Sequence, residues 1–140
     1  MPADAEAHYN LGFAYYILGK LDEALYCYEL AAMLNPNFTE PTAGIAQILS
    51  RKGKVREATQ LLEESINKVP YEVPITLTYG AVCLKAKRPE EAIPKILAVL
   101  ERPYIKEEQI RSAHYVLGNL FDSAGDYDNA FQSFKTANDM

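Results

Sequence analysis

The sequence predicts an all-α fold, an α-solenoid of about eight helices in four helix–turn–helix units. One observation is a set of alanines that recur at intervals of 34, 34 and 38 residues: Ala24, Ala58, Ala92 and Ala130. A second set of small residues keeps the same intervals: Gly12, Ala46, Gly80 and Gly118. Because small residues let helices approach closely, their periodic recurrence predicts stacked helix pairs. Most apolar positions follow a helical period, and no strand pattern is present.

Two apolar stripes mark the helices of the first unit. The first stripe is Leu11, Gly12 and Tyr15, and the second is Ala24, Tyr28 and Ala31. Each set falls on one helical face. Gly19 lies between the stripes, where the end of a helix favours a residue with positive φ. Pro36 closes the unit, because proline cannot continue a helix.

The same pattern predicts the helix boundaries along the chain. We expect helices over residues 5–18, 21–34, 39–52, 55–68, 106–124 and 127–138. Residues 1–4 form a lead-in, with Asp4 as the expected N-cap. In the third unit, Pro74 and Pro89 each open a helix in its first turn. Pro94 falls inside the second helix of that unit, where it is expected to kink or loosen the helix.

A 34-residue unit with a small residue at position 8, Ala at 20, a large residue at 24 and Pro at 32 resembles the tetratricopeptide repeat. The repeats cover about 5–38, 39–72, 73–106 and 111–140, and their first residues define position 1. This resemblance implies a right-handed solenoid that forms a single domain over residues 1–140. The usual Trp at position 4 is replaced by His8, Thr42, Thr76 and His114, and Lys87 replaces the turn glycine.

The last predicted helix carries an apolar stripe that no following helix covers: Phe131, Phe134 and Ala137. Repeat arrays usually finish with a polar capping helix. We therefore expect the chain to be a fragment of a longer protein, or its C-terminal helix to self-associate with a neighbour. Residues 111–138 also resemble the last repeat of bacterial proteins that join tetratricopeptide repeats to a sulfotransferase domain. This second resemblance implies an accessory role in a larger enzyme, whose catalytic domain lies beyond Met140.

Charge and composition argue against several classes of protein. A net charge of −5 and a pI near 5 argue against nucleic-acid binding, because contact with phosphates needs a basic face. No apolar run reaches transmembrane length and no signal peptide precedes the repeats, so we predict a cytoplasmic protein without membrane association. Cys27 and Cys83 are predicted to be buried thiols rather than a disulfide or a metal pair.

No arrangement of residues suggests catalysis, metal binding or cofactor binding. His8 and His114 are the only histidines. Three repeats separate them, or roughly 25–30 Å at about 8–10 Å for each packed helix layer. No glycine-rich phosphate loop is present. The chain is therefore predicted not to be an enzyme and to hold no metal or cofactor.

In the tetratricopeptide-repeat family, positions 2, 5, 6, 9, 12 and 13 of each first helix line a concave groove. The resemblance implies nine candidate contacts for a peptide or partner: Tyr9, Asn10, Phe13, Tyr16, Gln47, Arg51, Lys85, Tyr115 and Asn119. The aromatic residues offer the contact area that interfaces favour. Packing of these aromatics between neighbouring helices stays open as an alternative. The chaperone-type carboxylate clamp is missing, since its places hold Tyr9, Phe13, Gly44, Pro74 and Thr78.

These observations predict a protein-interaction scaffold that binds a peptide or a partner helix in the concave groove. Two alternatives stay open. One is an accessory domain of a larger enzyme, with a sulfotransferase as the example that the last repeat indicates. The other is a scaffold that self-assembles through its uncapped C-terminal helix. The sequence does not identify the partner.

Overall fold

Eight α-helices make up the described part of the chain. The computed structural model describes residues 2–140, with side chains from Asp4 onward, so Met1 of the predicted lead-in lies outside the described residues. The helices are α1 Pro2–Ile17, α2 Leu21–Leu34, α3 Glu40–Arg51, α4 Val55–Lys68, α5 Val73–Lys85, α6 Pro89–Leu100, α7 Glu107–Ser123 and α8 Tyr127–Asn138. Residues 2–140 contain no strand, which confirms the all-α prediction. Within the same residues, no helix has the length and apolarity needed to cross a bilayer.

The helix boundaries agree with the predicted ones, except at the start of the chain. α1 begins at Pro2, so the expectation of Asp4 as the N-cap is wrong, and Asp4 lies in the first helical turn. Proline is tolerated there because its missing N–H has no intrahelical partner, and the aspartate charge suits the helix dipole. α6 continues through Pro94 to Leu100, so the lost backbone hydrogen bond does not end this helix.

The turn within each repeat depends on one residue with a positive φ at position 15. Gly19 has a φ of 79°, as the sequence predicted, and Gly53 and Gly125 have φ values of 84° and 82°. Lys87 takes the same place in the third repeat with φ 60°, although its Cβ makes this conformation unfavourable. Its turn keeps the same bonding pattern, since the N–H of Arg88 donates to the Cys83 carbonyl at 2.9 Å.

The chain divides into two compact units, one ending at Leu62 and one running from Glu63 to Met140. In the first unit, the aromatic ring of Tyr28 lies between two glycines. A Cβ added to Gly12 would lie 2.8 Å from one edge of this ring, and a Cβ added to Gly44 would lie 2.5 Å from the other edge. Glycine at these two places is therefore what lets α1 and α3 close on the ring.

The second unit repeats this use of small residues. A Cβ on Gly118 would lie 2.5 Å from the Phe134 ring, and one on Gly80 would lie 2.7 Å from Ile96. The predicted role of the recurring small residues, close approach of helices, is therefore confirmed at three of the four positions, including Gly12. A polar anchor adds to this packing, because the Tyr79 hydroxyl donates to Glu63 at 2.9 Å.

The two cysteines are free thiols, one in each unit. Cys27 and Cys83 are buried, as predicted from their apolar surroundings in sequence. Burial raises the pKa of each thiol above its ordinary value. A buried thiol with a raised pKa is a poor nucleophile, so these side chains act as small apolar residues.

Candidate functional site

An aromatic stripe runs along α1 in the first unit. Tyr9, Phe13 and Tyr16 are spaced at i, i+4 and i+7, which places them on one face over about 10 Å of helix. Tyr9 and Tyr16 are half-buried, whereas Phe13 is 49% exposed. Phe13 is therefore the member of the stripe with the most apolar surface left for a partner.

Tyr9 is fixed by two other rings. Its ring centroid lies 5.5 Å from that of Tyr28 and 5.3 Å from that of Phe38, which meets it edge-on. Burial, with the charge of Glu40 as a second cause, raises the pKa of Tyr9. Tyr9 thus combines the two interpretations that the sequence left open, since it packs between helices and keeps part of its surface accessible. The contact with Phe38 was missed, because a residue in a turn has no place in a helical pattern.

Tyr16 and Arg51 meet across the first two repeats. The guanidinium carbon of Arg51 lies 5.0 Å from the centroid of the Tyr16 ring, within the range of a cation–π interaction. Gln47 lies one turn before Arg51 on α3 and is exposed. The structure therefore brings Tyr16 of α1 and Arg51 of α3 together. We give the name α1/α3 face to the predicted contact residues of these two helices: Tyr9, Asn10, Phe13, Tyr16, Gln47 and Arg51.

Asn10 differs from its equivalents in the next two repeats. It is exposed, whereas Gly44 and Thr78 at the same repeat position are buried. The expectation that position 6 lines a groove therefore does not hold for Gly44 and Thr78. Gly44 instead receives the Tyr28 ring, and the methyl-bearing Thr78 belongs to the interior. Asn10 remains accessible for hydrogen bonding.

The predicted residues of the second unit lie on α5 and α7. The Tyr115 ring packs edge-on against Phe134, with 6.0 Å between centroids, and its hydroxyl donates to Oδ1 of Asn138 at 3.1 Å. Tyr115 is therefore held mainly by its own repeat. Lys85 and Asn119 are exposed.

No group of three or more His, Cys, Asp or Glu side chains in the described part of the chain is arranged to hold a metal ion. His114 is half-buried, and its Nδ1 has no hydrogen-bond partner among the described residues. Burial lowers the pKa of His114, which favours its neutral form. This environment fits the prediction that His114 takes the place of an aromatic residue at a helix interface.

The helix pairs, the small residues beneath large side chains and the aromatic α1/α3 face define a helical-repeat protein. The comparison with known families identifies the repeat. The Tetratricopeptide repeat family matches residues 5–38, and a second profile with the same description matches residues 84–139. The chain thus carries tetratricopeptide repeats, which confirms the predicted fold class.

The chain is also similar to a human protein in sequence and to solved structures in fold. The chain is 26% identical over 133 residues to human "Protein O-mannosyl-transferase TMTC1", covering 95% of this chain but only 15% of that protein. Pseudomonas aeruginosa pilF matches with a TM-score of 0.84 at 18% identity, over 96% of this chain and 60% of that chain. A thermophilic TPR protein of Thermus thermophilus, TTC0263, matches with a TM-score of 0.79 at 21% identity, over 95% and 72%. At these identities the structural matches show the fold alone.

Proposed function

We propose that this chain is a protein-interaction scaffold whose α1/α3 face binds an extended peptide or a partner helix. Tetratricopeptide repeats generally act as protein-interaction scaffolds. The observation that carries the proposal is the half-exposed Phe13, which stands between two fixed tyrosines. Aromatic side chains that are already held in place lose little entropy on binding.

The chemistry of the α1/α3 face indicates what the ligand should offer. Phe13 provides an apolar contact for a side chain of the ligand. Arg51, stacked on Tyr16, provides a guanidinium for an acidic group. Asn10 and Gln47 are exposed amides suited to a peptide backbone. A peptide with an apolar side chain next to an acidic one is therefore the proposed ligand class.

Lys85, Tyr115 and Asn119 extend the proposal to the second unit, where they are separate candidate contacts. Tyr115 keeps an exposed ring surface although its hydroxyl is bonded to Asn138. Its ring is held against Phe134, so it too loses little freedom on binding. Replacing Tyr115 by alanine tests this unit independently of the α1/α3 face.

A selection from a random peptide library displayed on phage, with the immobilised chain as bait, tests the proposal. A selected peptide is then labelled, and its affinity is measured by fluorescence anisotropy. We expect Phe13→Ala and Tyr16→Ala to weaken binding by about tenfold or more each. Met33→Ala removes a more exposed apolar side chain from α2 and is the matched control, expected to bind like the parent. Full affinity in both α1 variants excludes the α1/α3 face.

A second candidate function is that of an accessory domain in a longer enzyme. Its support is the match to the human transferase, of which this chain spans about 15%. The resemblance of the last repeat to sulfotransferase-linked repeats remains a prediction of the same kind. The full reading frame of the source gene tests it: a catalytic domain in the same frame supports the proposal, and its absence contradicts it. The cytoplasmic location also stays a prediction, which fractionation of source cells tests.

A further inference from the structure

The first repeat has a second surface, built from residues outside the α1/α3 face. A cleft of about 440 Å³ lies between α1 and α2. Its lining comprises His8, Leu11 and Tyr15 from α1 with Tyr26, Cys27 and Leu30 from α2. Asp22 and Glu23, in the first turn of α2, also line it. Tyr26 is 65% exposed, so this repeat-one cleft is open to solvent.

The last repeat contains the equivalent cleft, and there a neighbouring helix contributes to it. This second cleft, about 410 Å³, lies between α7 and α8. Its lining occupies the same repeat positions: His114, Leu117 and Phe121 with Gln132, Ser133 and Thr136. Leu97, which is on α6 at position 25 of the third repeat, lines it as well. An apolar side chain from the second helix of a preceding repeat is therefore the natural neighbour of such a cleft. Within residues 2–140, the repeat-one cleft has no such neighbour.

α8 carries side chains that suit this role. The residue at position 25 of the last repeat is Lys135, which lies on α8 and is exposed. Its methylene stem is apolar and its ammonium group favours a polar edge. Phe131, at position 21 of the last repeat, is 63% exposed. Leu25 and Ile93, at position 21 of the first and third repeats, are partly buried. Phe134 and Ala137, predicted to share an exposed stripe with Phe131, instead pack within the last repeat, so Phe131 is its exposed member.

The charges of the two surfaces are complementary. Glu23 forms no ion pair with another described residue, and the same is true of Lys135. Asp22 already accepts a hydrogen bond from Lys52, which lowers the pKa of that carboxyl group. Glu23 is therefore the carboxylate of the repeat-one cleft that can receive a new cation.

We propose that α8 of one molecule docks on the repeat-one cleft of a second copy of this chain. The Lys135 stem takes the place that Leu97 takes in the last repeat, and its ammonium group pairs with Glu23. The docked α1 covers Phe131. The contact joins two different surfaces, so assembly proceeds head to tail rather than by twofold pairing. The α1/α3 face is not part of the contact, so this proposal does not depend on the proposed function.

Charge exchange tests this contact. Lys135→Glu and Glu23→Lys are compared with the parent chain by sedimentation velocity, from micromolar to millimolar concentration, at low and high salt. The parent is expected to associate as concentration rises, and less so at high salt. Each variant brings like charges together, so its association is expected to weaken by about tenfold. In an equal mixture of the two variants, every contact between unlike chains pairs opposite charges, so the mixture is expected to associate through alternating chains and better than either variant alone.

Lys54→Glu is the matched control, because it makes the same charge change at an exposed lysine outside both surfaces. It is expected to associate like the parent. Circular dichroism of each variant checks that helix content is unchanged. Three results would each overturn the proposal: a parent chain that is monomeric throughout, single variants that associate like the parent, or a mixture that associates no better than its components.

Discussion

Replacing Gly44 by alanine tests the packing that joins the first two repeats. The added Cβ would lie 2.5 Å from Cε2 of Tyr28, well inside the usual contact distance of about 3.5–4.0 Å between carbons. The ring cannot move away freely, because Gly12 lies close to its opposite edge. The strain must therefore be relieved by a shift of α1 or α3.

Two effects of opposite sign decide the size of the change. Overpacking a well-packed interior costs about 1–3 kcal/mol, whereas alanine in place of glycine within a helix gains about 1 kcal/mol. A Cβ added at Gly44 would lie 2.5, 2.8 and 2.9 Å from three atoms of the Tyr28 ring. We therefore expect the cost of overpacking to fall in the upper part of the roughly 1–3 kcal/mol range. We therefore expect a net loss of about 1–2 kcal/mol in the free energy of unfolding, or a fall in Tm of roughly 3–8 °C.

Urea unfolding followed by circular dichroism measures this loss. The control is the same substitution in a Tyr28→Leu background, since Leu62 is the residue at the equivalent position of the second repeat. Without the ring, only the gain in helix propensity remains, and Gly44→Ala should stabilise the chain by about 1 kcal/mol. A Gly44→Ala chain as stable as the parent in the Tyr28 background would show that α1 and α3 do not hold the Tyr28 ring tightly.

Three further predictions follow from single residues. Lys87→Gly should raise the free energy of unfolding by about 1 kcal/mol in urea, since glycine adopts the observed positive φ without a Cβ clash; an unchanged value would contradict this. Burial raises the pKa of Tyr28 to about 12, against about 10 in the unfolded chain. The protonated Tyr28 therefore contributes its full share to the free energy of unfolding below about pH 10, and this contribution is lost as the pH rises towards about 12. The Tyr28→Phe chain should therefore lose less of its free energy of unfolding between about pH 10 and 12 than the parent, as measured by urea unfolding curves. An identical loss in both chains would contradict this role of Tyr28. Arg51→Ala should cost about 0.5–1 kcal/mol through its contact with Tyr16, and no change relative to Lys54→Ala would show that the stacking contributes nothing.

The helices were predictable because their signals are local and repeated. Two sets of small residues that recur in all four repeats define the helix pairs, and glycines with positive φ define three of the turns. Lys87 has a positive φ at the repeat position where the other repeats have glycine. The spacing of the repeat therefore predicts this turn better than the residue type does. The start of α1 was misplaced at Asp4 because no apolar stripe marks the beginning of this helix, and the start signal that Pro2 offers was not used.

The candidate site was harder to predict, because exposure depends on neighbours that are distant in sequence. Repeat position alone could not separate Asn10 from Gly44, which share position 6 but differ in burial. The contacts of Tyr9 with Phe38 and of Tyr16 with Arg51 join residues from different helices and a turn. The repeat-one cleft was also missed, although its residues are those that pair the helices. Comparison of equivalent positions across the repeats could have found it.

The proposed function depends on peptide binding by the α1/α3 face. The most direct test is a titration of the ¹⁵N- and ¹³C-labelled chain with a selected peptide, followed by nuclear magnetic resonance. If the peptide binds this face, we expect the largest chemical-shift changes at Phe13, Tyr16 and Arg51, and unchanged signals from Met33 on α2. Saturable binding whose largest changes lie on α2, with none at Phe13 or Tyr16, would contradict it.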